Sequence, residues 1–368
     1  MFTSVHGTSD GSTHALRALA DLALEQGARS LMILSASGNG DLDALDALVR
    51  SFSVPVFGGV FPGVIEGTTL RTNGYVVFGL RSRATVASAR GLSAVEEVRF
   101  DDTLAAVSEA GGTSGTAIVF LNGLSRRIDA ALDAVYDVCG ANRTYLGAGA
   151  GSLGDPYMRS VFSNDGLVAD ALVVALVPDD ASVSVGHGWQ LRKGPFTATA
   201  AAATTLSKLD FEPASSVYAR ALDTTPERLA DDRAVLDTHP LGIVTVTGEI
   251  IVRDVVDVID GALVCVGEVP AQSRLYVLEG DRETLIGAAT DVAEALPDAR
   301  GPVTLFDCVS RLTILGDELS TQYHAMRDRT AARSLAGAQT IGEIASTAGQ
   351  PPAFLNKTLV LAGAQGAR

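Results

Sequence analysis

The chain has 368 residues, with 28 Lys and Arg against 43 Asp and Glu, for a formal net charge of −15. Hydrophobic residues make up 47% and charged residues only 19%, which supplies a large core and excludes an acidic disordered chain. The negative balance excludes a main role on nucleic acid: the densest basic groups, Arg81/Arg83 and Arg327/Arg329/Arg333, are diluted by acids or small residues.

From the N-terminus, Leu16, Leu19, Ala20 and Ala23 recur at helical spacing behind Ser12 or Thr13, either of which can cap a helix. The preceding Gly7-Thr-Ser-Asp-Gly11 matches GxSxG, but only six residues come before it, so it reads as a capping loop and not as a nucleophile elbow around Ser9. An apolar run, Leu31–Leu34, predicts a strand. A helix follows with Leu42, Leu45, Leu48, Val49 and Phe52 on one face. Val54–Phe57 then leads into Gly58-Gly59, and 74–80 gives another buried strand. The same order returns as a strand over 117–121, a helix with Ile128, Leu132, Val135, Tyr136 and Cys139 on one face, and Thr144–Leu146 entering Gly147-Ala-Gly-Ala-Gly151. A third, weaker copy is expected from Leu275, with Leu285, Ala289, Val292 and Leu296 on its helix and 302–306 as its strand. Between copies, residues 241–267 alternate in the manner of antiparallel strands, Ile243, Val244 and Val246 among them.

These repeats predict an α/β (α+β) fold of duplicated strand–helix–strand modules, whose mixed sheets are covered by helices. Two domains are expected, 1–205 and 206–368, the first holding two related modules. The first residues lack the basic and apolar segments of a secretory signal. The longest aliphatic run, Ala171–Val177, is far too short to span a bilayer. Cys139, Cys265 and Cys308 form no CxxC pair, so a soluble cytoplasmic protein without disulfides is expected.

Gly149-Ala-Gly-Ser-Leu-Gly154 matches GxGxxG after a strand, but Asp155-Pro156 follows and no helix is predicted to receive a pyrophosphate. The five histidines show no HExxH or HxxxH spacing. His187 stands apart: it lies in Gly186-His-Gly-Trp189 beside the only tryptophan, where it can bond a carboxylate, ligate haem iron or be a satisfied core residue. Phe306-Asp-Cys-Val-Ser-Arg311 places a thiol three residues before an arginine that can lower its pKa or clamp a carboxylate. A small packed cysteine is the plainer reading of Cys308.

Taken in order, Val5-His-Gly-Thr-Ser9, Gly58-Gly59, Gly147–Gly151, His187-Gly-Trp189 with Gly194-Pro-Phe196, Phe306-Asp-Cys308 with Arg311, and Phe354-Leu-Asn-Lys-Thr-Leu359 resemble the FIST family over nearly the whole chain. The resemblance implies an N-terminal and a C-terminal FIST domain forming a stand-alone sensory module. Such a module binds an amino-acid-like or other small metabolite and signals through a separate partner. Some bacterial members look like haem proteins that sense nitric oxide and regulate histidine kinases or cyclic-di-GMP enzymes, so haem b on His187 is an alternative. A thiol-dependent enzyme using Cys308 is a third reading; otherwise no catalysis is expected. Where the family usually has a hydroxyl-rich turn, this chain has Val60-Phe-Pro-Gly-Val64, which favours an apolar or flat ligand. The residues expected at the ligand site are Gly59, Gly147, Gly149, Gly151, His187, Trp189, Cys308 and Arg311, with Arg311 as carboxylate anchor and Trp189 as stacking wall.

Overall fold

A computed structural model describes residues 1–94, 105, 108–109, 111–245, 247–296, 301–330, 334–346 and 350–365. Val246 and Arg333 lie outside the described residues. The first module runs β1 (Phe2–Thr8), α1 (Thr13–Glu25), β2 (Ser30–Ala36), α2 (Leu42–Arg50), β3 (Val56–Phe61), a hairpin β4 (Gly63–Glu66) and β5 (Thr69–Arg71), then β6 (Tyr75–Leu80). Ser12 caps α1 by accepting from the Ala15 N–H, and Thr8 and Asp10 accept from the N–H groups of Asp10 and Ser12. The GxSxG string is thus a helix-capping loop.

The second module repeats this order: β7 (Thr85–Arg90), β8 (Gly115–Asn122), α3 (Ile128–Cys139), β9 (Arg143–Ala150), a hairpin β10 (Val161–Ser163) and β11 (Gly166–Val168), then β12 (Ala171–Val177). A turn and β10 follow Gly149–Gly154, so the GxGxxG match has no helix behind it.

The third module opens with β13 (Ala181–Gly186) and is then interrupted by an inserted antiparallel sheet. The insertion comprises β14 (Gln190–Ala202), β15 (Thr205–Leu209), β16 (Glu212–Pro213), α4 (Ala214–Ala221), α5 (Pro226–Asp231), α6 (Arg233–Thr238), β17 (Leu241–Val244), β18 (Ile250–Arg253), β19 (Val255–Ile259), β20 (Ala262–Cys265) and β21 (Arg274–Glu279). The module resumes with α7 (Arg282–Ala295), β22 (Val303–Cys308), α8 (Val309–Leu315), α9 (Leu319–Arg329), β23 (Leu335–Thr340), a hairpin β24 (Glu343–Ala345) and β25 (Ala353–Leu355), and β26 (Leu359–Ala364). The expected division between 205 and 206 falls at the start of β15, inside the inserted sheet. The strand at 275–278, expected to open the third copy, is β21 and pairs with β14 and β17 in that sheet. The module's true first strand, β13, is separated from its helix by the insertion.

The three module sheets share one order: β1-β6-β2-β3, β7-β12-β8-β9 and β13-β26-β22-β23. Each contains one parallel pair, β2/β3, β8/β9 or β22/β23, joined by its crossover helix or helices. Each sheet is completed by a hairpin from another module: β10–β11 pairs with β3, β24–β25 with β9, and β4–β5 with β23. The hairpins are exchanged in a ring, so no module closes its own sheet.

The inner faces of all three sheets meet in one core. Phe120 packs edge-on against both Phe61 and Phe306, at 5.7 Å between centroids in each case. Helices cover the outer faces: Leu16 and Ala20 of α1 and Leu45 and Val49 of α2 on the first sheet, Leu132 and Val135 on the second, Leu285 and Ala289 on the third. Burial on both faces explains why the strands read as continuous apolar runs. No helix among the described residues is long and apolar enough to cross a membrane.

Candidate ligand-binding cavity

A cavity of about 360 Å³ lies where three parts of the chain meet: the end of β13, the β17–β18 hairpin and the β24–β25 hairpin. Val185, Ile250, Ile251, Ala345, Ala353 and Leu355 form apolar walls, while His187, Thr245, Thr247, Glu249 and Gln350 bring polar groups. The inserted hairpin turns through Gly248 at φ +86, its N–H bonded to the Thr245 carbonyl, and the Thr245 and Thr247 hydroxyls bond each other at 2.8 Å. Glu249 is exposed at the rim, and among the described residues no cation pairs with it. Val246, Thr347, Ala348 and Gly349, outside the described residues, carry no charge.

His187 is held by its surroundings. A Cβ at Gly186 would press on Val292, and one at Gly188 (φ +83) on the Thr284 carbonyl, so the flanking glycines let the chain pass close to α7. The His187 Nδ1 accepts from the Trp189 N–H at 2.9 Å, and the His187 carbonyl accepts from Arg311 Nη1 at 2.8 Å. Burial, and then the charge of Arg311, depress the imidazole pKa to about 4. The ring is neutral at pH 7 and, with Nδ1 an acceptor, carries its proton on Nε2.

This tautomer bears on haem. Iron ligation through Nε2 requires a free lone pair there and the ring proton on Nδ1. Nδ1 instead faces a backbone N–H donor, so the residues present do not fit His187 as a proximal ligand. Among the described residues no cluster of three or more His, Cys, Asp or Glu side chains is placed to hold a metal ion.

The other expected site residues lie elsewhere. Arg311 is fully buried: beyond His187, its Nη2 donates to the Leu285 carbonyl (3.0 Å) and Gln322 Oε1 (2.6 Å), and its Nε lies 3.3 Å from Asp307. Gln322 and Tyr323 donate to the same carboxylate. Burial pushes Asp307 up to about 6, opposed by Arg311 and these donors. The arginine ties β22, α7, α9 and the His187 backbone together. Trp189 is 3% exposed, its indole N–H donating to the Lys357 carbonyl, so it forms core and no open stacking wall. Cys308 is buried, and desolvation first, then Glu343, raise its thiol to about 12, the reverse of an activated thiolate.

The glycines serve strand packing. A Cβ at Gly147 would overlap the Val119 carbonyl of the paired strand, just as one at Gly58 would meet Ile33 and one at Gly337 would meet Leu305. One glycine per module occupies this same register. Gly149 lets the Ile341 carbonyl and Gly123 approach, Gly151 donates to the Val60 carbonyl, and Gly59 faces Ala150 and the Phe61 ring. Of the residues expected at the ligand site, the cavity holds His187 alone; Gly186 and Leu355 come from the strings Gly186–Trp189 and Phe354–Leu359, and the rest of the lining carries no motif. Glu249 and Ile250 follow an ordinary hairpin turn, and Ala353 and Leu355 sit on a three-residue strand with no period of its own.

A search among curated proteins finds no match. The FIST N domain matches residues 30–212 and the FIST C domain residues 214–346, in tandem. FIST domains are sensory domains that bind small ligands in signal transduction. With the two matches covering most of its length, the chain belongs to the FIST family.

Proposed function

We propose that this protein is a sensor that receives a small metabolite in the cavity between β13, the β17–β18 hairpin and the β24–β25 hairpin, and reports it to a separate protein. The observation that carries the reading is the cavity itself: an apolar pocket with few polar groups, formed where the inserted sheet meets an exchanged hairpin. Its volume is at the small end of the ~300–1,000 Å³ that ligand pockets span. His187 is the one residue expected at the ligand site that lies in its wall, and through its carbonyl it touches Arg311, which reaches α7 and α9. Occupancy there can bias helices on the outer surface. A histidine kinase or a cyclic-di-GMP enzyme is the partner class the family resemblance suggests, and a cytoplasm is where three buried, free cysteines stay reduced.

The test is a metabolite screen read by thermal shift on the wild-type protein and on Ala353→Trp, which fills the cavity. Ligands that act here raise the melting temperature of the wild type and leave the variant unmoved. Hits that stabilise both proteins equally would place binding elsewhere and overturn the assignment.

A further inference from the structure

Resting on the cavity reading above, we infer that the site selects an apolar molecule bearing an amine and rejects carboxylates, with Glu249 facing the amine and the His187 Nε2–H donating to an acceptor on the ligand. Three observations carry this. Glu249 is the one formally charged side chain lining the cavity among the described residues, and no described cation neutralises it. The arginine best suited to a carboxylate, Arg311, is fully buried behind His187 and bonded to protein groups. Finally, the walls are Val, Ile, Ala and Leu, so a carboxylate would leave water without a counter-charge while approaching another carboxylate.

His187 refines the choice. A protonated imidazole would have welcomed an anion, but desolvation and the neighbouring guanidinium keep it neutral. It then offers a single N–H donor, which suits a carbonyl, hydroxyl or ring nitrogen. Glu249 sits at the exposed rim, where a charge pair adds little. It serves selectivity more than affinity, and the apolar walls supply most of the binding.

The experiment uses three probes on one skeleton, 2-phenylethylamine, 2-phenylethanol and 3-phenylpropionate, titrated into the full chain by calorimetry. Fluorescence of the single Trp189, excited beyond the phenyl absorption, gives a second readout. Expected is the order amine, alcohol, carboxylate, with the amine about threefold to fivefold tighter than the alcohol and the carboxylate weakest. Glu249→Gln removes the amine's advantage and leaves the alcohol unchanged. Thr247→Trp, at the exposed rim where folding is not at stake, blocks all three. A carboxylate bound as tightly as the amine and blocked by Thr247→Trp would overturn the ligand class while the cavity stands. Failure of all three to bind at millimolar concentration, or binding indifferent to Thr247→Trp, would count against the cavity itself.

Discussion

Arg311 is the residue whose role the structure changes most, and its removal gives a measurable test. Arg311→Met keeps much of the side-chain volume but deletes the guanidinium from a site that is fully buried. Asp307, also fully buried, then loses its counter-charge, a change that costs about 3–5 kcal/mol when one partner of a buried pair is removed. The carbonyls of His187 and Leu285 and the Gln322 side chain lose a donor as well, each worth on the order of 1 kcal/mol. These terms do not add fully, because Asp307 can escape by taking a proton. Its pKa stands at about 6 with Arg311 present and rises further without it.

The expected loss at pH 7 is therefore about 4–5 kcal/mol in urea unfolding. The sign with pH follows from linkage. A carboxyl whose folded pKa lies above its unfolded value favours the folded state at low pH and loses that contribution as pH rises. The deficit of Arg311→Met should thus shrink between pH 8 and pH 5. A double-mutant cycle with Asp307→Asn should return a coupling of at least about 2 kcal/mol. A carboxylate anchor facing a ligand would behave differently, weakening ligand binding at little cost in stability. A loss under about 1 kcal/mol, independent of pH, would refute the structural role argued here.

Four further outcomes follow from the same geometry. Alanine at Gly58, Gly147 or Gly337 should prevent soluble expression, since each Cβ overlaps a carbonyl of the paired strand. Gly287→Ala, on an exposed, uncrowded turn of α7, should instead stabilise by about 0.5–1 kcal/mol in thermal melts. His187 has a folded pKa near 4 against 6.5 unfolded, so its contribution is whole above pH 6.5 and lost as pH falls towards 4. Between pH 7.5 and 4.5 the wild type should lose about 2–3 kcal/mol relative to His187→Gln, and parallel curves would disprove the depressed pKa. All three cysteines are buried with raised pKa values. A thiol reagent should label none of them in the native protein and all three in denaturant; fast labelling of Cys308 alone would revive a thiol-dependent role.

Most of the three-module plan is legible in the sequence because each module sheet is buried on both faces. Runs such as Leu31–Leu34 and Ala171–Val177 then have no polar alternation to obscure them. The helices are equally plain: Leu16, Ala20 and Ala23 of α1 and Leu285, Ala289 and Val292 of α7 are the buried faces their spacing predicts. The hairpin exchange is not legible. Its strands are three or four residues long, and pairs such as Ala336 with Glu66 join distant segments that no local pattern connects. The third module's first strand was hidden for a related reason, because β13 ends at residue 186 and its helix begins at residue 282. For Arg311, residue type gave no way to choose between a buried brace and a ligand clamp, since a guanidinium meets carboxylates in both settings. The cavity leaves no mark in the sequence because its walls are ordinary aliphatic residues, and only their convergence marks the place.

The exchange of hairpins also accounts for where the cavity is. In the first module, the end of β1 and the departing hairpin leave a crevice of about 240 Å³ lined by Val5, Gly7, Glu66 and Arg327, against Leu335 and Ala336 of β23. Val185 of β13, paired with Val360, stands in the third module where Gly7 of β1, paired with Val76, stands in the first, and His187 follows just past the strand end. The last residue of β4, Glu66, pairs with Ala336 of β23, as the last residue of β24, Ala345, pairs with Leu146 of β9. A crevice at this position is thus a product of the shared architecture. What differs is its lining. The first carries charged side chains of both signs, Arg327 and Glu66, the latter already bound to Arg71 at 2.5 Å. In the third, alanine replaces that glutamate, and the inserted sheet supplies Ile250 and Ile251 as apolar walls and Glu249 as a charged rim. The insertion breaks the repeat where it enlarges the crevice; under the proposed function, substitutions at Thr247, Glu249, Ile250 and Ile251 should therefore alter ligand specificity while leaving the three-sheet core intact.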